Sequence, residues 1–371
     1  MKVLFTLDTL ANAGTEKSML DIIGHFSNDV EAKVVYFYPG DDLKEAYEKA
    51  GIPLIFVNLP GKRSWFKGIS SLRKIIREEK PDVVVSSILR ANIISRIACW
   101  ISKTKLVGTF VSDSYSSMRT NSFSSKRKAG FYFFYRLDRL TAGIPVAWIS
   151  NSNCIKASNC KYLGVDPDKV KVIYRGREAA KFPAKDNNRS KDNFHFVYVA
   201  RLLQTKGLQE LVEAFRKVAE KYPHAILDVY GDGPYRNSLK ESIQRYGLNE
   251  KIKQHGKVPD GWKKLYEADC FVFPSWYEGF SGSLVEAMMV GIPIIASDIP
   301  MNLEAVTRDK TARVHEVKNA ESLATEMEKA IAGYDEMKQM ATNARKEAIE
   351  RFDISVIAAQ YENYLKEAIA K

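Results

Sequence analysis

The chain alternates short apolar runs of strand length with longer stretches of helical periodicity. Val3–Leu7, Val34–Tyr38, Leu54–Val57, Val83–Ser86, Leu106–Phe110 and Val146–Ile149 form a first series of runs. Phe194–Val199, Ile226–Tyr230, Ile252–His255, Cys270–Phe273 and Pro293–Ala296 form a second. Several are apolar at consecutive positions, as parallel strands covered on both faces should be. The clearest helix spans Gly207 to Tyr222. Leu208, Leu211, Val212, Phe215, Val218, Ala219 and Tyr222 share one face there, and Pro223 ends it. The expected fold class is therefore α/β, built from two doubly wound units.

A chain of 371 residues has room for two domains. The stretch Lys181 to Asn193 is polar and aperiodic, which marks a break. The expected division is an N-terminal domain at 1–183, a second domain at 184–350, and a C-terminal helix at 351–371 that packs back on the first. In that tail Ile357, Tyr361, Tyr364, Leu365 and Ala368 share a face. Open parallel sheets bind ligands beyond the carboxyl ends of their strands. Two such sheets facing across an interdomain cleft would carry their functional residues just after strands.

Several function classes lose support. Asp8 cuts the first apolar run too short for a secretory signal, and no stretch approaches the ~20 apolar residues of a membrane span. Cys99, Cys154, Cys160 and Cys270 form no CxxC pair, which fits reduced thiols and a cytoplasmic protein and argues against a zinc site. No metal or cofactor is expected. Asp166-Pro167-Asp168 has the form of a DxD metal motif, yet it reads better as a helix-to-strand turn. The net charge of +11 attracts nucleic acid, anionic lipid or phosphorylated substrates without choosing among them.

Two segments carry the chemistry. Val199 to Gly207 delivers Arg201 and Lys206 from a strand end to the start of a helix, where fixed cations suit a departing diphosphate. Two solvated surface cations are the alternative. Pro274 to Ala287 again runs from strand through a glycine-bearing turn into a helix. Gly279 and Gly282 permit close backbone approach, and the N–H groups of Ser281, Gly282 and Ser283 suit phosphate oxygens. Glu278 and Glu286 suit sugar or ribose hydroxyls, since a carboxylate accepts two hydrogen bonds from a vicinal diol. An acid that merely complements the helix dipole is the competing account.

Arg201 with Lys206-Gly207, then Gly231-Asp232-Gly233-Pro234, then Glu278 and Glu286 with seven residues between, resemble the signature series of the family 4 retaining glycosyltransferases. The likeness covers most of the C-terminal half, in order. It implies the glycosyltransferase type-B fold, two facing Rossmann-like domains. It also implies transfer of a sugar from a nucleoside-diphosphate sugar to a saccharide or lipid-linked acceptor, in surface polysaccharide or glycolipid synthesis. Arg201 and Lys206 would hold the donor diphosphate, Glu278 the donor sugar and Glu286 the ribose, with Gly231 in the donor site. Glu304 resembles a further family glutamate. Asn12-Ala13-Gly14-Thr15-Glu16 resembles the family's glycine loop after the first strand, with Gly14 toward the diphosphate. The family's histidine after Leu106–Phe110 is absent here, and Ser112 or Asp113 would stand in for it. Arg175 and Arg177 replace parts of another family motif and suit an anionic donor, acceptor or lipid phosphate.

Residues 119–139 interleave Arg119, Lys126, Arg127, Lys128, Arg136 and Arg139 with Phe123, Phe131, Tyr132, Phe133, Phe134 and Tyr135. Such a surface suits anionic headgroups on the inner face of the cell membrane, while a helix with buried aromatics is the alternative. Rival functions are a nucleotide-sugar epimerase or a sugar phosphorylase on the same scaffold, a non-catalytic nucleotide-sugar binder, or a nucleic-acid-binding protein. No nucleic-acid motif supports the last.

Overall fold

A computed structural model describes residues 1–61, 64–113, 115, 125–188 and 193–370, with the backbone alone at 125–129. The chain divides into two compact units, Met1–Gly176 with Ile354–Lys371, and Arg177–Asp353.

The first unit carries strands β1 (Lys2–Leu7), β2 (Glu31–Tyr36), β3 (Leu54–Phe56), β4 (Val83–Ser86), β5 (Leu106–Phe110), β6 (Ala147–Ser150) and β7 (Val170–Val172). Its helices are α1 (Gly14–Ile23), α2 (Lys44–Lys49), α3 (Trp65–Glu79), α4 (Leu89–Ser102), α5 (Ser125–Thr141) and α6 (Asn153–Leu163). The sheet runs β3-β2-β1-β4-β5-β6-β7, with every recorded pairing parallel. Alternation along β4 shows why Val83, Val84 and Val85 are apolar at consecutive positions. Val83 and Val85 join one core, and Val84 joins the core on the opposite face. The second of these cores is closed by Leu72 and Ile76 of α3 with Ala91, Ile94 and Ala98 of α4.

The second unit carries β8 (Phe194–Val199), β9 (Ala225–Tyr230), β10 (Ile252–Gly256), β11 (Cys270–Phe273), β12 (Ile294–Ser297) and β13 (Arg313–His315). Its helices are α7 (Leu208–Lys221), α8 (Arg236–Arg245), α9 (Gly282–Val290), α10 (Pro300–Leu303), α11 (Ala320–Ala332) and α12 (Tyr334–Phe352). The order is β10-β9-β8-β11-β12-β13, again parallel. The expected face of α7 is the one buried: Leu208, Leu211, Val212, Phe215 and Val218 pack on Phe194, Phe196 and Tyr198. Truncating a side chain such as Phe215 to alanine there costs about 3–5 kcal/mol.

A last helix, α13 (Ile354–Ala370), belongs to the first unit. Ile354, Ile357, Tyr361, Leu365 and Ala368 pack in one core with Val3, Phe5, Met19 and Ile22. The Glu362 carboxylate fixes the helix further, accepting from the Ser27 hydroxyl at 2.8 Å. The polar stretch read as a break lies inside the second unit. Lys185 Nζ donates to the Tyr266 carbonyl at 2.7 Å, and Asn187 Nδ2 to that of Gly291 at 2.7 Å. The chain passes between units earlier, at Gly176. Asp166 caps a 3-10 turn at Pro167–Lys169, its carboxylate accepting from Asp168 N–H at 3.0 Å, as a helix-to-strand turn requires.

Candidate active site

In the second sheet the strand order reverses between β8 and β11, and doubly wound sheets bind ligands outside the carboxyl ends of strands at such a point. The loops leaving β8 and β11 pack backbone against backbone there. Trp276 N–H donates to the Thr205 carbonyl at 2.9 Å. Gly207 has φ +69°, and a Cβ on it would overlap the Pro274 carbonyl oxygen. Gly231, just past β9, has φ +144°, and a Cβ there would overlap the Ala200 carbonyl oxygen. Glycine alone combines these conformations with that closeness.

This packing brings Lys206 to Glu278. The ammonium donates to Glu278 Oε1, with the two side chains only 15% and 10% exposed. It also lies 5.5 Å from the centre of the Phe273 ring. So shielded a pair feels a lower dielectric than a surface bridge, and each charge depends on the other to offset its desolvation. Arg201 stands exposed on the same loop. Its carbonyl accepts from the buried Tyr198 hydroxyl at 3.1 Å, which anchors the loop to β8.

Helix α9 starts from the β11 loop. Ser281 is its N-cap, the hydroxyl accepting from Leu284 N–H at 3.4 Å. Gly282 and Ser283 occupy its first turn, where N–H groups have no carbonyl within the helix to bond. Glu286 lies one turn on, and Arg177 Nε donates to its Oε1 at 2.8 Å. Arg177 is itself held by its own N–H, which donates to the Phe352 carbonyl at 2.9 Å. Its guanidinium crowds Gly282 so closely that a Cβ there would overlap it. Glu304 ends α10, and its carbonyl accepts from Arg351 Nη2 at 2.6 Å. Arg201, Lys206, Glu278, Ser281, Gly282, Ser283 and Glu286 thus sit on the carboxyl side of one sheet. Arg177, which the sequence offers to an anionic donor, acceptor or lipid phosphate, joins them by pairing with Glu286, 109 positions away in sequence.

In the first unit Gly14 opens α1, and Arg175 Nη1 lies 3.1 Å from where its Cβ would be. Arg175 Nη2 donates to the Val111 carbonyl at 3.5 Å. Asp113 Oδ1 accepts from the Ser158 hydroxyl at 2.6 Å, and the Ser112 carbonyl from Asn159 Nδ2 at 3.1 Å. Both are therefore tied to α6. Sequence reasoning passes over Asp8, Tyr38 and Arg90, which line a cavity in this unit. Their place shortly beyond strand ends is the available signal.

Of residues 119–139, Arg119 and Phe123 and the side chains of Lys126, Arg127 and Lys128 lie outside the described residues. Phe131 and Tyr135 pack on Tyr115 at 5.7 and 5.0 Å between ring centres, and Phe134 on Trp65 at 5.5 Å. Tyr132 and Phe133 are 59% and 64% exposed, beside the exposed Arg136 and Arg139. Among the described residues no helix is long and apolar enough to cross a membrane, and no group of three metal-ligating side chains converges.

The model of the family "Glycosyltransferase Family 4" matches residues 13–181, and that of "Glycosyl transferases group 1" matches 180–347. The chain is 24% identical to a capsular polysaccharide biosynthesis glycosyltransferase of Staphylococcus aureus, over 84% of this chain and 86% of that one. It is 26% identical to the UDP-Gal:alpha-D-GlcNAc-diphosphoundecaprenol alpha-1,3-galactosyltransferase of Escherichia coli, over 78% and 76%. Among solved structures it superposes on Anabaena HepE in complex with UDP with a TM-score of 0.84, at 22% identity, covering 99% of this chain and 100% of that one.

Proposed function

Since the chain belongs to glycosyltransferase family 4 and has its type-B fold, we propose that it moves a sugar from a nucleoside-diphosphate sugar to an acceptor hydroxyl with retention at the anomeric carbon. The observation that supports this reading is the Lys206–Glu278 pair beside the start of α9 at the reversal of the second sheet, with Arg201 exposed on the same loop as Lys206. A diphosphate there meets two cations and a helix N-terminus, which stabilise the charge that grows as it leaves. With that charge met by fixed groups, transfer proceeds without a metal ion. Glu278 takes donor-sugar hydroxyls and Glu286 the ribose. The acceptor attacks from the face the diphosphate leaves, and a leaving phosphate oxygen takes its proton.

The relatives named above support a saccharide or lipid-linked acceptor in surface polysaccharide synthesis, and HepE and the E. coli relative make UDP-sugars the first donors to try. Exposed Tyr132 and Phe133 beside Arg136 and Arg139 support contact with an anionic membrane, which a vesicle sedimentation assay with and without anionic lipid reads. The test of the main reading is a thermal-shift screen of nucleotide sugars, followed by an assay for transfer. A ligand at a hundred times its Kd stabilises by about 2.7 kcal/mol. Free nucleoside diphosphate released far faster with acceptor present supports transfer. Release of a free epimer or sugar phosphate overturns it.

A further inference from the structure

Arg177 is fixed at both ends of its side chain. At the base, its N–H donates to the Phe352 carbonyl, and two residues on Ala179 N–H donates to Asp353 Oδ2, each at 2.9 Å. The buried Phe352 ring meets the buried Phe280 ring edge-on, with centres 5.3 Å apart. Phe280 stands two residues before Gly282, so this contact ties the base of Arg177 to the start of α9. At the tip, Nε bonds to Glu286, and Nη2 lies over Gly282. We propose that Arg177 is a diphosphate-binding residue, whose Nη atoms hold phosphate oxygens of the donor while Nε keeps Glu286 in place for the ribose.

Gly282 shows that this placement of the guanidinium is specified. Its φ is not positive, so its backbone does not call for glycine. The space above it does, because a Cβ would overlap Nη2. The residue that opens α9 thus lacks a side chain where the guanidinium needs room.

Charge argues for an anion at that spot. The guanidinium sits beside the positive end of the α9 dipole, an arrangement of like sign. Glu286 offsets part of it from one turn further along the helix. A phosphate group lying against both offsets the rest.

The same design recurs at Lys206. There too a largely buried cation is paired with a carboxylate assigned to hydroxyls, with 15% and 10% of the two side chains exposed. Each pair offers a donor and an acceptor together. A nucleoside-diphosphate sugar brings phosphate oxygens for the cations and hydroxyls for the carboxylates. A guanidinium carries five N–H donors on three nitrogens, so a bond through Nε is compatible with one through Nη. The pairing with Glu286 favours the donor over an acceptor or a lipid phosphate, the other anions to which the sequence offers Arg177.

The inference rests on the donor reading above and deepens it by adding a phosphate-binding cation that the family resemblance does not assign. The test separates the two functions of one side chain in the full-length chain. Arg177→Gln puts an amide nitrogen where Nε stands, which keeps the bond to Glu286 and removes the charge over Gly282. Arg177→Lys keeps a charge and loses the Nε bond. Calorimetry first measures UDP, GDP and ADP against the parent chain. The tightest is carried forward, with its nucleoside followed by saturation-transfer NMR. Arg177→Gln is expected to weaken the diphosphate about tenfold or more, as loss of a charge-assisted hydrogen bond does, with the nucleoside held within about twofold. Arg177→Lys is expected to bind the diphosphate about fivefold tighter than Arg177→Gln, or better. Nucleoside binding also reports that each variant is folded. The reverse order of the two variants, or equal weakening of diphosphate and nucleoside, shows that Arg177 acts only by orienting Glu286 and overturns the proposal. Parental diphosphate affinity in both variants overturns it as well. In all these cases the parent still binds a nucleoside diphosphate and the donor reading stands. If the parent binds none of the three, the donor reading fails and this proposal with it.

Discussion

Arg177 and Glu286 are partners: the guanidinium Nε donates to the carboxylate Oε1 at 2.8 Å across 109 positions of sequence. The carboxylate assigned to the ribose is therefore oriented by a cation before any donor arrives. Both side chains are about four-fifths buried, so each charge offsets the other's partial desolvation. Arg177→Ala is expected to weaken UDP binding five- to twentyfold by calorimetry. Unchanged affinity would show that the pair is only structural.

Gly282 tests the same cluster from the other side. A methyl group there overlaps the Arg177 guanidinium and pushes it off Glu286. Gly282→Ala should therefore reproduce most of the Arg177→Ala loss, and the double variant should lose little more than either. Such non-additivity is the mark of groups acting through one contact. Additive losses would mean that the added methyl group obstructs the ligand directly and not through Arg177.

The parts legible in the sequence share one property: they are local. Cys270–Phe273 reads as a covered strand because all four residues are buried, and α7 reads from the spacing of its core face. Arg313–His315 escapes such a reading because only Val314 of its three residues is apolar, and only pairing with β12 makes them a strand. The polar stretch at 181–193 shows a related limit. Composition marks exposure, but Lys185 and Asn187 are bound to carbonyls 81 and 104 positions downstream. Of the site, motif order supplies Arg201, Lys206, Glu278 and Glu286. Sheet order, which no local pattern encodes, is needed to bring Arg177 to Glu286 and to gather Asp8, Tyr38 and Arg90 around one cavity.

Two positive-φ glycines separate backbone preference from packing. Gly207 at φ +69° faces the Pro274 carbonyl, whereas Gly51 at φ +71° has open space around its Cβ position. Gly51→Ala should cost about 1–2 kcal/mol, the left-handed penalty alone. Gly207→Ala carries a backbone clash besides and should cost at least twice that, read by urea unfolding. Because Gly207 sets the approach of Lys206 to Glu278, its variant should also lose nucleotide-sugar binding while still folded in the cold. Equal costs at the two positions would contradict the packing account.

The Lys206–Glu278 pair makes the two single variants unequal. Lys206→Ala removes a cation from the diphosphate, so kcat should fall by about 10²–10³ and donor KM should rise. Glu278→Gln keeps the side-chain shape and leaves the ammonium free for phosphate. Its donor KM should change little, while kcat falls because the donor sugar is no longer held. Initial rates over a donor series separate the two. Near-parental kcat in both variants removes these residues from the mechanism.

Asp8 sets a pH window on stability. Burial pushes its carboxyl from 3.8 up to about 6, with the Ala91 N–H and Arg90 pulling it down only in part and Glu16 pushing it further up. A folded value above the unfolded one means that the fold favours the protonated acid. Its contribution to stability is whole below pH 3.8 and is lost as pH rises through 6. Above that the folded chain carries a buried carboxylate at a cost of about 1–3 kcal/mol. Asparagine keeps an oxygen for Ala91 N–H and carries no charge. Asp8→Asn should therefore melt above the parent chain at pH 8, and the gap should shrink between pH 6 and pH 4. A gap that is constant with pH, or that widens toward acid, would place the Asp8 carboxylate in a solvated setting.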